Sequence, residues 1–142
     1  MGQVANEDFV PPLSLEMAGG VEAPRQARSA VLEALRPHLS DAAVRDVALV
    51  VSELVTSSVE YAATGPGERL EVDVDVDVED DCVHIEVSDS GARLRPRATP
   101  RHPDAPQALG LGLVDRLAQS WGVDRDGAGH TRVWCELPLH RA

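Results

Sequence analysis

The chain has 142 residues, 43% of them hydrophobic, a net charge of −11 and two cysteines. This length suits one domain with a proper core, and the negative charge disfavours nucleic acid as the main partner, because phosphate would be repelled. No apolar run spans a bilayer or marks a signal peptide, and Asn6 stands where a myristoylation signal needs Ser or Thr; the expectation is a cytoplasmic protein with no membrane association, with Cys82 and Cys135 as reduced core residues.

Residues 1–12 are polar, end in Pro11-Pro12 and read as a flexible N-terminal tail, leaving 13–142 as a single domain. Leu13, Leu15 and Met17 alternate with polar residues, which predicts a short strand ended by Gly19-Gly20. Pro24 suits the first position of a helix running to about Arg36, with Ala27, Ala30, Val31, Ala34 and Leu35 as its apolar positions and Pro37 closing it.

Residues 41–62 carry the strongest pattern. Val44, Val47, Ala48, Val51, Leu54, Val55, Val59 and Ala62 follow the spacing of a one-sided helix, with Ser40 or Asp41 as cap and Gly65-Pro66-Gly67 beyond its end. Asp46, Glu53, Ser57 and Glu60 fall on the other face, and Glu53 and Ser57 are one turn apart, so a carboxylate and a hydroxyl point into the same space. Taken alone, that face reads first as a solvated helix surface.

Residues 70–79 alternate valine with carboxylate and predict a half-buried strand, Val72, Val74, Val76 and Val78 inward. Alternate residues on a strand lie about 6.6–6.8 Å apart. Metal ligands must converge to about 2.0–2.6 Å from one ion, so the acidic row reads as a solvated face rather than a metal site, with docking of a basic partner second. Asp80-Asp81 makes the turn, and 82–87 is the returning strand with Val83, Ile85 and Val87 on one face. Ser88-Asp89-Ser90-Gly91 then ends the strand; its carboxylate would accept from an amino group such as adenine's, but taken alone the stretch reads first as an ordinary turn.

Residues 93–107 form a basic loop in an acidic chain, with Arg93, Arg95, Arg97 and Arg101 among four prolines. Its length suits either a phosphate-facing lid or a surface loop. Leu109-Gly110-Leu111-Gly112 leads into a helix over 113–121, with Leu113, Val114, Leu117 and Trp121 on its buried side; glycines before a helix let N–H groups approach an anion. Gly127-Ala128-Gly129 turns into a last strand over 131–137, inward at Val133, Cys135 and Leu137. There is no lysine in the chain, which excludes a P-loop lysine, and Asn6 is its only asparagine.

In this order the pieces resemble a family. Glu53-Leu54-Val55-Thr56-Ser57-Ser58-Val59-Glu60-Tyr61-Ala62 is similar to E-L-V-T-N-A-V-x-H-A, Val87-Ser88-Asp89-Ser90-Gly91 to V-x-D-x-G, Ala108 to Val114 to G-x-G-L-x-L-V, Leu117 to Val123 to L-A-x-x-W-G-V, and Gly129-His130-Thr131 to G-K-T. Across 13–139 the chain resembles the Bergerat-fold (GHKL) ATPases, in particular the small bacterial anti-sigma-factor serine kinases. The resemblance implies an α+β two-layer sandwich: a mixed, mostly antiparallel sheet of about five strands with three main helices on one face. It implies ATP and Mg²⁺ as cofactors. Asp89 would hold the adenine amino group with Gly91 and Thr131 beside it, Leu109, Gly110 and Leu111 would face the phosphates, 93–107 would be the lid, and Glu53 would be the general base toward a partner's serine. A sigma factor or an anti-sigma-factor antagonist-like protein would be the partner, with a homodimer as one arrangement.

Three positions depart from the motifs. Ser57 stands at the Mg²⁺-binding asparagine, Ala108 at the first glycine of the phosphate motif and His130 at the lysine of the last. A serine hydroxyl falls short of an Asn amide by about 1.2–1.5 Å, whereas Mg²⁺ wants near-ideal octahedral distances of about 2.0–2.1 Å. The expectation is a retained fold with adenine binding kept and metal binding and catalysis weakened. Two functions follow: an ATP-dependent serine kinase that also sequesters its partner, or a non-catalytic binding module of the same fold. A histidine-kinase catalytic domain ranks third, because no dimerisation and phosphoacceptor helices precede it.

Overall fold

A computed structural model of the chain describes residues 10–61, 71–89, 111–125 and 131–139. The elements in order are β1 (Leu13–Ala18), α1 (Ala23–Leu35), α2 (Asp41–Tyr61), β2 (Glu71–Val78), β3 (Cys82–Asp89), α3 (Gly112–Leu117), β4 (Ser120–Arg125) and β5 (Thr131–Pro138). The strands form one sheet in the order β1-β2-β3-β5-β4. Each pairing is antiparallel, and no parallel pair occurs among the described residues.

The alternation of valine and carboxylate in β2 decides which face of the sheet is dry. Val72, Val74 and Val76 are buried while Glu71, Asp73, Asp75 and Asp77 are exposed. The register places Val74 opposite Val87 and Val76 opposite Ile85, then Ile85 opposite Cys135 and Val87 opposite Val133. Directly opposite residues share a face, so three neighbouring strands present one apolar surface. Val31 and Leu35 of α1 and Val44, Val47, Val51, Leu54 and Val55 of α2 join the same core. Both long helices therefore cover one face. Leu54 is fully buried, and truncating such a leucine to alanine costs about 2–5 kcal/mol.

Ser40 caps α2: its Oγ accepts from the Ala43 N–H at 3.1 Å and its carbonyl accepts from the Val44 N–H at 2.9 Å. This satisfies backbone donors that the first helical turn leaves open. Among the described helices, none is long and apolar enough to cross a membrane.

The segment after α3 corrects the sequence reading. The expected helix over 113–121 ends at Leu117, and Trp121 lies on β4, opposite Cys135. Of its four expected buried residues only Val114 is buried on the helix; Leu113 and Leu117 are half-buried. The Trp121 indole N–H donates to the Asp115 carboxylate at 3.0 Å, tying β4 back to α3. β3 also runs two residues further than expected, so Asp89 is a strand residue rather than a turn residue.

The outer face of the sheet is polar. Ser14 Oγ donates to the Asp75 carboxylate. Arg132 reaches Asp124 at 2.6 Å and Glu86 at 3.5 Å. His84 lies between Glu86, 2.9 Å from Nε2, and Glu136, 3.3 Å from Nδ1, with its ring stacked on Trp134. Burial works against the charged imidazole, but the hydrogen bonds and charges of Glu86 and Glu136 outweigh it, and the His84 pKa lies above its ordinary value.

Candidate functional site

The candidate residues lie at the end of β3 and in the last turns of α2. Asp89 is the final residue of β3 and is 5% exposed. It faces Thr131, the first residue of β5, on one side and Val72 on the other. Since Val72, Val87 and Val133 all point to the core, Asp89 lies on the helix-covered face, where a carboxylate would ordinarily be replaced by an apolar residue. A buried carboxylate at the rim of a core is an unusual and directional acceptor.

Further buried polar groups lie on α2. Ala43 and Val47, in the first turns of α2, line a cavity of about 350 Å³ together with Val83 and Leu137. The start of α2 thus lies over the start of β3. From Val47 to Ser58 the helix rises about 16 Å, and from Val83 to Asp89 the strand advances about 20 Å. Ser57 and Ser58 lie in the last turns of α2, away from the end that lines this cavity. The cavity at the other end holds none of these side chains.

The polar face of α2 is not a uniform solvated surface. Asp46 is exposed and Glu53 half-buried, whereas Ser57 is only 5% exposed. Glu53 and Ser57 are one turn apart, the carboxylate half-buried and the hydroxyl buried. The sequence reading passed over Ser58. It is also 5% exposed, and its Oγ has no hydrogen-bond partner. The available signal was its spacing, since it continues the buried row of Val47, Val51, Leu54 and Val55 with a hydroxyl in place of a methyl group.

Leu111 is fully buried and precedes α3, and its carbonyl accepts from the Asp115 N–H at 2.9 Å. Gly112 opens α3, and a Cβ there would meet nothing within 4 Å. α3 has only six residues, so the helix-dipole argument for an anion at its start is weak. Gly91, Arg93, Arg95, Arg97, Arg101, Ala108, Leu109, Gly110 and His130 lie outside the described residues.

Residues 19–135 match the family described as the histidine kinase-like ATPase domain. The chain belongs to this family. Its ATPase character implies nucleotide binding, and the motif order and the sheet-and-helix arrangement agree with it. The RsbU and RsbW domains of Rv1364c from Mycobacterium tuberculosis form a similar structure, with a TM-score of 0.69 at 22% identity over 93% of this chain and 33% of that one. The chain thus spans a third of that protein's crystallised length, and at this identity the likeness is one of fold. No curated protein matches the sequence.

The fold family implies Mg²⁺. Among the described residues no group of three or more His, Cys, Asp or Glu side chains could hold a metal. Glu53 and Ser57 supply one carboxylate and one short, buried hydroxyl. Mg²⁺ demands near-ideal octahedral distances of about 2.0–2.1 Å, and the Ser57 hydroxyl reaches less far than the asparagine amide of the motif, so this pair fits it poorly.

Proposed function

We propose that the protein is an adenine-nucleotide-binding regulator of the partner-switching kind, resembling anti-sigma-factor serine kinases, which sequesters and, where catalysis survives, phosphorylates a partner protein in the cytoplasm. The observation that carries this reading is the buried Asp89, in register with Thr131 at the end of the helix-covered face of the sheet. In this reading Asp89 accepts from the adenine amino group with Thr131 and Gly91 beside it. Leu109, Gly110 and Leu111 face the phosphates, and the arginines of 93–107 close over them as a lid, since Arg pairs with phosphate bidentately. Glu53 is the general base toward a serine hydroxyl. The partner is a sigma factor or an antagonist-like protein, docked through a surface that includes α1, with a homodimer as one assembly. Support for the partner class comes from the family resemblance and from the likeness to a chain containing an RsbW domain.

A second reading, a non-catalytic binding module of the same fold, is favoured by Ser57. Phosphoryl transfer relies on positioning and charge neutralisation by metal, and a short hydroxyl at the metal position weakens both. The two readings are separated by calorimetric titration with ATP, with and without Mg²⁺, followed by a phosphotransfer assay on a captured partner. Tight Mg²⁺-dependent binding with transfer to serine supports the kinase. Weak or absent ATP binding with no transfer supports the degenerate module and contradicts the kinase.

A further inference from the structure

The helices cover one face of the sheet, and no described helix packs on the other. β2 alone places Glu71, Asp73, Asp75 and Asp77 on that outer face, all exposed. The neighbouring strands add to this charge. Glu16 of β1 stands directly opposite Asp73, and Glu86 of β3 directly opposite Asp75. Like charges placed opposite one another destabilise a sheet, so a face that met only water would be more stable without these pairs. Arg132 is the arginine of this face among the described residues, and Asp124 and Glu86 already engage it.

The same face has an aromatic centre. Trp134 of β5 stands opposite Gly122 of β4, where a Cβ would come within 2.9 Å of the indole, so the ring lies across a gap that glycine leaves. On its other side is the His84 ring, 13° from parallel with centroids 6.1 Å apart. Glu86 and Glu136 flank His84 at 2.9 and 3.3 Å, and Glu136 also accepts from Ser120 Oγ at 3.3 Å. A half-buried indole is thus set among carboxylates that are already held in place. That combination complements a guanidinium, which stacks on aromatic faces and pairs with carboxylates bidentately.

The register relates the two features. Asp75, Glu86, Trp134 and Gly122 fall in one row across four strands, which puts Asp75 about 9–10 Å from Trp134, two strand spacings. Side chains three positions apart in an extended segment span about the same distance.

We propose that the outer face of the sheet, from the β2 carboxylates to Trp134, docks an arginine-rich segment of a partner protein. One guanidinium stacks on the Trp134 indole, and its neighbours pair with Asp73 and Asp75 and relieve the like-charge pairs. A second copy docked face to face would instead bring two acidic surfaces together, which repel. The inference does not depend on nucleotide binding, because Asp89 lies on the opposite, helix-covered face.

The test is titration of the full ¹⁵N-labelled chain with acetyl-tetra-arginine amide, and with acetyl-tetra-lysine amide of equal charge. The Trp134 indole N–H and the amides of β2 and β5 should shift. The Trp121 indole, on the inner face and bonded to Asp115, should not. Tetra-arginine should bind about two- to fivefold more tightly than tetra-lysine, the scale of an exposed cation–π contact, and Trp134→Val should remove that preference. Asp73→Asn with Asp75→Asn should weaken binding by about three- to tenfold, the scale of two exposed ion pairs. Glu33→Gln with Asp46→Asn removes the same charge from exposed helix positions and should cost about twofold at most, since salt screens distant charges. The wild-type comparison of the two peptides needs no variant to fold. An unmoved Trp134 indole, equal affinity for the two peptides, or equal losses in both double variants overturns the proposal. So does a dimer, formed without peptide, that covers Trp134 with a second copy.

Discussion

Asp89 and Thr131 face each other across the β3–β5 ladder, a carboxylate and a hydroxyl in register at the end of an otherwise apolar sheet face. The pair is fixed by backbone hydrogen bonding on both strands, so it is rigid before any ligand arrives, and preorganised polar groups lose least on binding. If the pair recognises adenine, Asp89→Asn replaces an acceptor-only group by a mixed one. It should weaken ATP binding by about 1.5–3 kcal/mol, the range of a charged hydrogen bond. Calorimetry checks this, and unchanged affinity or a preference for GTP in the wild type contradicts it.

Ser57 is the departure with the sharpest consequence. Ser57→Asn restores a longer oxygen donor on the same turn as Glu53, and Ala108→Gly in addition removes a methyl group from the phosphate motif. Mg²⁺-dependent ATP affinity should rise in the first variant and again in the double variant. A wild-type protein that already binds Mg²⁺-ATP tightly and transfers phosphate at an ordinary rate would show that the serine is an adequate ligand.

How much was legible beforehand follows the strength of each local pattern. α2 and β2 were read almost to the residue, because their periods of 3.6 and 2 run for five turns and four alternations without interruption. β4 was not. Its six residues SWGVDR hold only Trp121 and Val123 on the inner face, and a glycine interrupts them. The reason for that glycine lies on another strand: a Cβ on Gly122 would come within 2.9 Å of the Trp134 indole opposite. Such a cross-strand constraint is invisible to local pattern. Of the candidate residues, Glu53 and Ser57 stand out by their one-turn spacing and Asp89 by motif order, whereas the spacing of Ser58 gains meaning only with its burial.

The outer face carries a titration that can be measured. His84 has a folded pKa above its ordinary value of 6.5, since Glu86 and Glu136 hold the imidazolium. A raised pKa means that the folded state binds the proton more tightly, so the added stability is fully present below the unfolded value and is lost as pH rises through the folded one. Denaturation of wild type and His84→Gln over this window should show their difference narrowing toward alkaline pH. NMR titration of Glu136→Gln should show the His84 pKa falling. A difference that widens with pH contradicts the assignment.

Burial pushes the Cys135 thiol up to about 12 and, with Glu79 beside it, the Cys82 thiol up to about 11. The thiolate is the reactive species. Native protein at mildly alkaline pH should therefore resist iodoacetamide at both positions, with both alkylated once denaturant is added. Rapid labelling of either in the native state would show that the sheet is less closed around it than described.

The account turns on where the nucleotide sits, and backbone amide NMR during titration with ATP tests that directly. The account predicts shifts concentrated at Ser57, Ser58, Asp89 and Thr131, with Ala43, Val47 and Leu139 at the opposite cavity unmoved. Shifts centred on that cavity, or none at Asp89 and Thr131 at saturating ATP, would contradict it.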